Sequence, residues 1–186
     1  MTFLDYLSSA ISVSATLKQE IERISMHRKA DKGQYLLRAG ERCSDLYFVE
    51  RGLVRGFYFD DEKEITNWLA IDGEFATSFY SFITRTPGFE SIEVLEPSDL
   101  VYIQYDDLQR LYNDYPETER IGRIITENYY LKLDGRILGL QFKTAKERYD
   151  QLLEDNPLLI QRAPLGCIAS YLGITQETLS RIRAKY

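Results

Sequence analysis

Gln176, Glu177, Ser180 and Arg181 fall at positions that a helix would gather on one side, within the stretch ITQETLSRIRAKY at 174–186. Their chemistry is that of recognition. A Gln amide can hold both the donor and the acceptor of an adenine edge, a Glu can accept from cytosine N4, and an Arg fork can bind guanine O6 and N7. Thr175 precedes them as a helix cap, while Arg183 and Lys185 are cations suited to phosphate, which position a protein without reading sequence. Catalytic side chains are scarce by comparison. His27 is the one histidine, Cys43 and Cys167 stand far apart, and no Gly-x-Ser-x-Gly elbow occurs. A barrel metal site needs about two histidines with a carboxylate. Neither an enzymatic activity nor a metal nor any other cofactor is expected.

Two helices joined by a sharp turn would position the recognition side chains. From Leu165 onward, LGCIASYLGITQETLSRIRAKY supplies a small residue where such helices touch, Ala169, and a turn glycine four residues later, Gly173. Ile168, Leu172, Ile174, Leu179 and Ile182 fall where a helix-turn-helix buries apolar side chains, and Thr175 caps the second helix with Thr178 three residues on. Gln176, Glu177, Ser180 and Arg181 then face a major groove from the N-terminal half of that helix. The competing reading is a helical hairpin packed on the rest of the chain with these polar groups solvated. Such a hairpin calls for neither the Ala/Gly pair nor three base-reading side-chain types together.

Upstream, Pro116 opens a stretch in which Ile121, Ile124, Asn128, Leu131, Gly135, Leu138 and Phe142 follow in alternating steps of three and four. That is a heptad seam, and Asn128 opposite a second Asn would set the register of a parallel homodimer. Its interface is expected at Ile121, Ile124, Asn128, Leu131 and Leu138. The alternative lays the same helix on its own barrel. From Gly33 to about Leu108 the texture is one of short strand-like runs: QYLLRAG, DLYFVERG, LVRGFYFD, EITNWLAID, FESIEVLE and DLVYIQY. Gly33, Gly40, Gly52, Gly56, Asp60–Asp61 and Gly73 separate many of them, which predicts a closed antiparallel β-roll of jelly-roll type. Phe3 to about Arg28 has helical spacing, and Thr144 with Glu147 predicts a capping box opening a helix that ends near Asn156–Pro157. The expected fold is α+β: N-terminal helices with the roll at 1–115, a long dimerisation helix at 116–142 and a helix-turn-helix domain at 143–186.

The composition, 44% hydrophobic and 28% charged, is that of an ordinary globular chain. No run approaches the ~20 apolar residues of a membrane span. The start MTFLDYLSSA lacks the basic residues of a signal peptide. A cytoplasmic protein with no membrane partner is expected. The net charge of −6 argues against nucleic acid as a partner for the whole surface. Its distribution does not, because from Arg162 onward Arg162, Arg181, Arg183 and Lys185 face only Glu177. A basic tip on an acidic body suits contact with double-stranded DNA through one end.

The order of these parts resembles the Crp/Fnr family of bacterial transcription regulators over nearly the whole chain. KGQYLLRAGE, LYFVERGLVRGFY and the later GEF look like the glycine-punctuated strands of a cyclic-nucleotide-binding domain, and ITQETLSRIRAK looks like the family's recognition helix. The resemblance implies a sensor roll, a dimer and an inverted-repeat operator. It assigns base contacts to Gln176, Glu177 and Arg181, and effector contacts to Gly73, Glu74, Phe75, Glu90 and Ser91. Two departures follow. Members that bind cyclic nucleotides carry an Arg-Ser or Arg-Thr pair for the cyclic phosphate, whereas here GFESIEV keeps Ser91 and places Glu90 at the arginine position. A carboxylate repels phosphate, so cyclic AMP is not expected to bind in the family's usual way, with Arg85 the nearby cation; the roll then holds either a different small effector or a vestigial pocket. The aromatic segment Phe75, Phe79, Tyr80, Phe82 and Phe89 could wall a flat or apolar ligand, or simply fill the roll. The second departure is at the C-terminus, where the wing common in the family is expected to be abbreviated or absent. Iron–sulfur and haem variants are disfavoured by two lone cysteines and one histidine. The contrasting function is a ligand sensor or protein-interaction module whose helix-turn-helix no longer binds DNA.

Overall fold

The computed structural model of the chain describes residues 1–61 and 63–184. Its first two helices, α1 (Phe3–Ala10) and α2 (Ala15–Ile24), are started by side-chain caps. Thr2 and Asp5 form a reciprocal capping box, and the Ser14 hydroxyl accepts from the Leu17 amide at 3.1 Å. Helix does not extend to Arg28 as the spacing predicts. Met26–Ala30 is instead β1, an alternately exposed strand paired with the last strand of the sheet from Met26↔Tyr102 to Ala30↔Ser98.

The remaining strands are β2 (Tyr35–Leu37), β3 (Asp45–Asp60), β4 (Lys63–Ile71), β5 (Phe75–Ala76) and β6 (Ser91–Gln104). They form one antiparallel roll in the order β1-β6-β3-β4, with β2 also on β6 and β5 also on β3. Two runs expected as separate strands fuse into β3, and two more into β6. Gly52 and Gly56 lie inside β3 rather than between strands. Gly52 has φ +131°, and a Cβ there would stand 2.0 Å from Ser98 Oγ of β6, so only glycine lets the two bent strands approach where their register shifts. Gly56 leaves room for the Trp68 indole laid across it.

Between β5 and β6 runs the short helix α3 (Phe79–Thr84), and α4 (Tyr105–Asp114) begins where the strand pattern was expected to continue to Leu108. Asp106 and Asp107 occupy its first turn, where carboxylates favour a helix start. The long α5 (Glu117–Phe142) then leads to α6 (Ala145–Asp155), opened by the expected Thr144–Glu147 capping box. Asn156 ends α6 and caps α7 (Pro157–Arg162), a helix the sequence reading does not include. Helices α8 (Leu165–Tyr171) and α9 (Gln176–Arg183) complete the described chain.

Three apolar clusters hold these elements. Tyr47, Val49, Val54, Ile92 and Val94 fill the roll, and Leu17, Ile21, Phe48, Val101 and Ile121 fix the N-terminal helices to it. In the third, Leu53, Ile71 and Leu95 of the roll are continuous with Tyr149, Leu159, Ile168 and Leu179 of the C-terminal helices. The helix-turn-helix therefore shares a core with the roll. Leu179 is 0% exposed at the centre of that contact. Leu179→Ala should cost about 2–5 kcal/mol of unfolding free energy. Urea denaturation followed by circular dichroism measures it, and an unchanged midpoint would show that α9 is not seated in the common core.

Candidate nucleic-acid interface and ligand cleft

The turn between α8 and α9 follows from the residues that form it. Gly173 takes φ +66° while its amide donates to the Ser170 carbonyl and the Ile174 amide to the Ala169 carbonyl, both at 3.0 Å. Ala169 is buried at the contact, Ile168, Leu172 and Leu179 are buried around it, and Ile174 and Ile182 are packed at its margin. Thr175 caps α9 by accepting from the Thr178 amide at 3.2 Å. With that face committed, Gln176, Glu177, Ser180, Arg181 and Arg183 are exposed on the other side. The Gln176 amide leans over Gly166 of α8, 2.9 Å from where a Cβ would be. Arg181 folds back on the Thr178 hydroxyl at 3.2 Å. The Glu177 carboxyl is held below the usual range by its own backbone amide and by Thr175. Lys185 lies outside the described residues.

Arg162 is not part of the basic tip. Its guanidinium turns to the roll, donating to Asp72 at 2.6 and 3.1 Å and to the Gly52 carbonyl at 2.8 Å, and it also pairs with Glu96. Asp72 is held below its ordinary pKa chiefly by that arginine. A second polar joint lies at α8, where the Thr66 amide of β4 donates to Ser170 Oγ at 2.8 Å. Ser170 Oγ donates in turn to the Glu64 carbonyl at 3.1 Å. Nothing in the residue types of α7 marks Arg162 as the clamp, because Asp72 and Glu96 are 90 and 66 residues away.

The seam of α5 divides. Ile121, 6% exposed, is taken into the chain's own N-terminal core, so it is not available to a partner in this arrangement. Ile124 is half-buried, and Asn128, Leu131, Leu138 and Phe142 are open, Leu131 at 65% and Phe142 at 79% exposure. Three heptad positions of large apolar type thus remain uncovered along one helix.

Beside α5, a cleft of about 440 Å³ opens against β4 and β5. Gly73, Glu74 and Phe75 line it, together with Phe79, Asn128 and Tyr129. Glu74 is already engaged, paired with Lys132 and accepting from the Ile71 amide at 3.1 Å. Glu90 is buried behind the cleft wall, where its carboxylate accepts from Asn67 Nδ2 and Trp68 Nε1, each at 3.0 Å. Burial raises its pKa, and the hydrogen bonds from Asn67, Ser78 and Trp68 offset part of that rise. Asn67 reaches it because β4 carries one extra residue there, between Thr66↔Phe57 and Trp68↔Gly56, a bulge that re-aims the side chain. An Asn inside a strand was the available signal for this partner. Ser91 is turned to Ala39, whose amide donates to it at 3.0 Å.

The aromatic segment does not wall the cleft as a unit. Phe75 packs on Phe48 at 5.1 Å and Phe79 on Tyr129 at 4.2 Å, but Phe82 is in the roll core and Tyr80 and Phe89 are exposed on the outside. Arg85 turns away from Glu90 and Ser91 towards other partners. It donates to the Cys43 carbonyl at 2.7 Å and stacks over Tyr105 at 3.9 Å. Among the described residues, no helix is long and apolar enough to cross a membrane.

The roll, the long helix and the helix-turn-helix follow one another in this order along the chain. Residues 27–115 match the cyclic nucleotide-binding domain family. The fumarate and nitrate reduction regulatory protein of Vibrio cholerae is 27% identical over 192 residues, covering 91% of this chain and 71% of the relative. The protein of that name from Yersinia pestis is 26% identical, covering 88% and 69%. Of solved structures, FixK2 from Bradyrhizobium japonicum superimposes with a TM-score of 0.76 at 17% identity, covering 87% of this chain and 84% of that one. A CooA variant from Carboxydothermus hydrogenoformans gives 0.71 at 19%, covering 100% and 84%. Together these likenesses support a regulator of the Crp/Fnr family.

Glu90 generates a pH-dependent prediction. Its folded pKa lies above the unfolded value, so below both values it is neutral in both states and contributes nothing. As pH rises past the unfolded value, the buried charge costs stability, and the cost is complete above the folded pKa. Glu90→Gln keeps an acceptor for Asn67 and Trp68 and removes the charge. Thermal melts should show a higher Tm for the variant at pH 8 and no gain at pH 4. A Tm difference of the same size at both would rule out a strained carboxylate.

Proposed function

We propose that this chain is a DNA-binding transcription regulator that reads an inverted-repeat operator as a homodimer. The observation that carries the reading is the division of α9. Its Leu179 face is locked into the shared core, while Gln176, Glu177, Ser180 and Arg181 stand exposed together on the other. Thr175, Arg183 and Lys185 are assigned to the phosphate backbone, and Gln176, Glu177 and Arg181 to base edges. Dimerisation through Ile124, Asn128, Leu131 and Leu138 of α5 would set two recognition helices about 34 Å apart on successive major grooves. Exposure of Leu131 and Leu138 supports that role. The working units in this reading are a sensor at 1–115, a dimerisation helix at 116–142 and a DNA-binding domain at 143–186.

An effector is assigned to the roll, with Gly73, Glu74 and Phe75 at its contact edge and Glu90 and Ser91 shaping the corner behind. A carboxylate in that corner, with its Asn67 and Trp68 partners, supports an effector other than a cyclic phosphate. Binding would act by biasing two arrangements of α5 and the helices after it.

Selection of bound fragments from a random DNA pool tests the reading, and an inverted repeat with half-sites one helical turn apart is the expected result. On the recovered site, Arg181→Ala should cost about 1–3 kcal/mol and relax preference at one base pair, whereas Arg183→Ala should weaken all sequences alike and flatten the salt dependence. A folded dimer showing no salt-dependent affinity for any DNA would end the proposal.

A further inference from the structure

A second cleft, of about 420 Å³, lies where α5, α6 and the helix-turn-helix meet β4. Leu69, Leu140, Leu152, Leu159 and Leu172 give it aliphatic walls. Arg136 of α5 and Arg148 of α6 also line it. Among the described residues neither guanidinium forms an ion pair with a carboxylate, whereas Lys132 on the same wall is paired with Glu74. Both arginines are spent on neutral carbonyl groups. Arg136 donates to the Tyr171 carbonyl at 3.3 Å and the Thr66 carbonyl at 3.2 Å. Arg148 donates to the Leu172 carbonyl at 2.8 Å and the Lys143 carbonyl at 2.7 Å.

Charge and shape point the same way. Lys132, Arg136 and Arg148 outnumber Glu74 and Asp155 on the lining, so the cavity carries excess positive charge against a hydrocarbon surface. Its size is within the range of small-molecule sites. Arg136 Nη1 and Arg148 Nη2 make no hydrogen bond among the described residues, leaving a donor on each for an anion.

We propose that this cleft binds a small apolar monoanion, a medium-chain aliphatic carboxylate in chemical class, with its carboxylate on Arg136 and Arg148 and its chain among the leucines. The site adjoins the first cleft, sharing Leu69, Glu74, Lys132, Arg136 and Tyr171 with it, and extends from there towards Arg148 and Leu172. Tyr171 and Leu172 are the last residues before the Gly173 turn, so the two arginines hold the carbonyl end of α8 at the point from which α9 departs. A carboxylate competes with those carbonyls for the same guanidinium groups. Ligand binding thereby loosens the turn and changes the pose of the recognition helix. That regulatory consequence rests on the DNA-reading proposal; the binding itself does not.

Isothermal titration of the full chain with octanoate, 1-octanol and octylamine, without DNA, tests the binding. Octanoate should bind at least tenfold more tightly than octanol, with octylamine weaker than either. Arg136→Gln should reduce octanoate affinity at least tenfold and leave octanol unaffected. Gly135 lines the cleft, and a Cβ there meets nothing within 4 Å, so Gly135→Leu should fold and block the cavity. It decides the matter if Arg136→Gln is unstable. Equal affinities for octanoate and octanol, or octanoate binding unaltered by Gly135→Leu, would overturn the proposal. Because the titration contains no DNA, its outcome is independent of whether the protein reads an operator.

Discussion

Arg162 reaches from α7 to the roll and meets Asp72, Glu96 and the Gly52 carbonyl there, beside the apolar contact of Leu53, Ile71 and Leu95 with Ile168 and Leu179. The placement of α9 depends on this joint. Magnitudes divide the work within it. Partly exposed ion pairs contribute about 0–1 kcal/mol each, whereas a buried leucine or isoleucine contributes about 1.5–3 kcal/mol. Cohesion therefore comes from the shared core. The arginine, satisfied only when it faces three acceptors at once, fixes orientation. A shifted α7 would leave Asp72 and Glu96 without their partner, although the apolar side chains could still find contacts.

The roll shows the opposite use of charge. Glu90 is buried, accepting hydrogen bonds from Asn67 and Trp68, and burial raises its pKa. The bulge at Asn67 turns what would be an isolated carboxylate into a satisfied corner. Arg55 is treated similarly, nearly buried but held between Glu64 and Glu93 at 2.5 and 2.6 Å, close under α8. These buried charges are thus neutralised or hydrogen-bonded by the roll itself, whereas among the described residues Arg136 and Arg148, at the junction with α5 and α6, donate to carbonyls alone.

Helix α5 connects these regions because its sides serve different neighbours. Ile121 is committed to the N-terminal core, and Arg136 reaches both β4 and α8. Leu131, Leu138 and Phe142 are left uncovered. One helix thus has one side tied to the N-terminal core and another to the roll and the helix-turn-helix.

By itself the sequence determined the turn of the helix-turn-helix, the Thr175 and Thr144 caps, the outward set Gln176, Glu177, Ser180 and Arg181, and the existence of a long helix with an apolar seam. All of these are local: caps, a positive-φ glycine and helical periodicity act over a few residues. Only the tertiary structure decided that Met26–Ala30 is strand, since that segment gains its partner from β6, far along the chain. The same holds for Gly52 and Gly56, turn residues by type, which become bends in one strand because Ser98 and Trp68 approach them. Arg162 and Arg136 were legible only as cations, and Ile121 only as a seam position. What each faces is set by chain segments dozens of residues away, and spacing along the sequence carries no information about which distant carboxylate, carbonyl or core a side chain will meet.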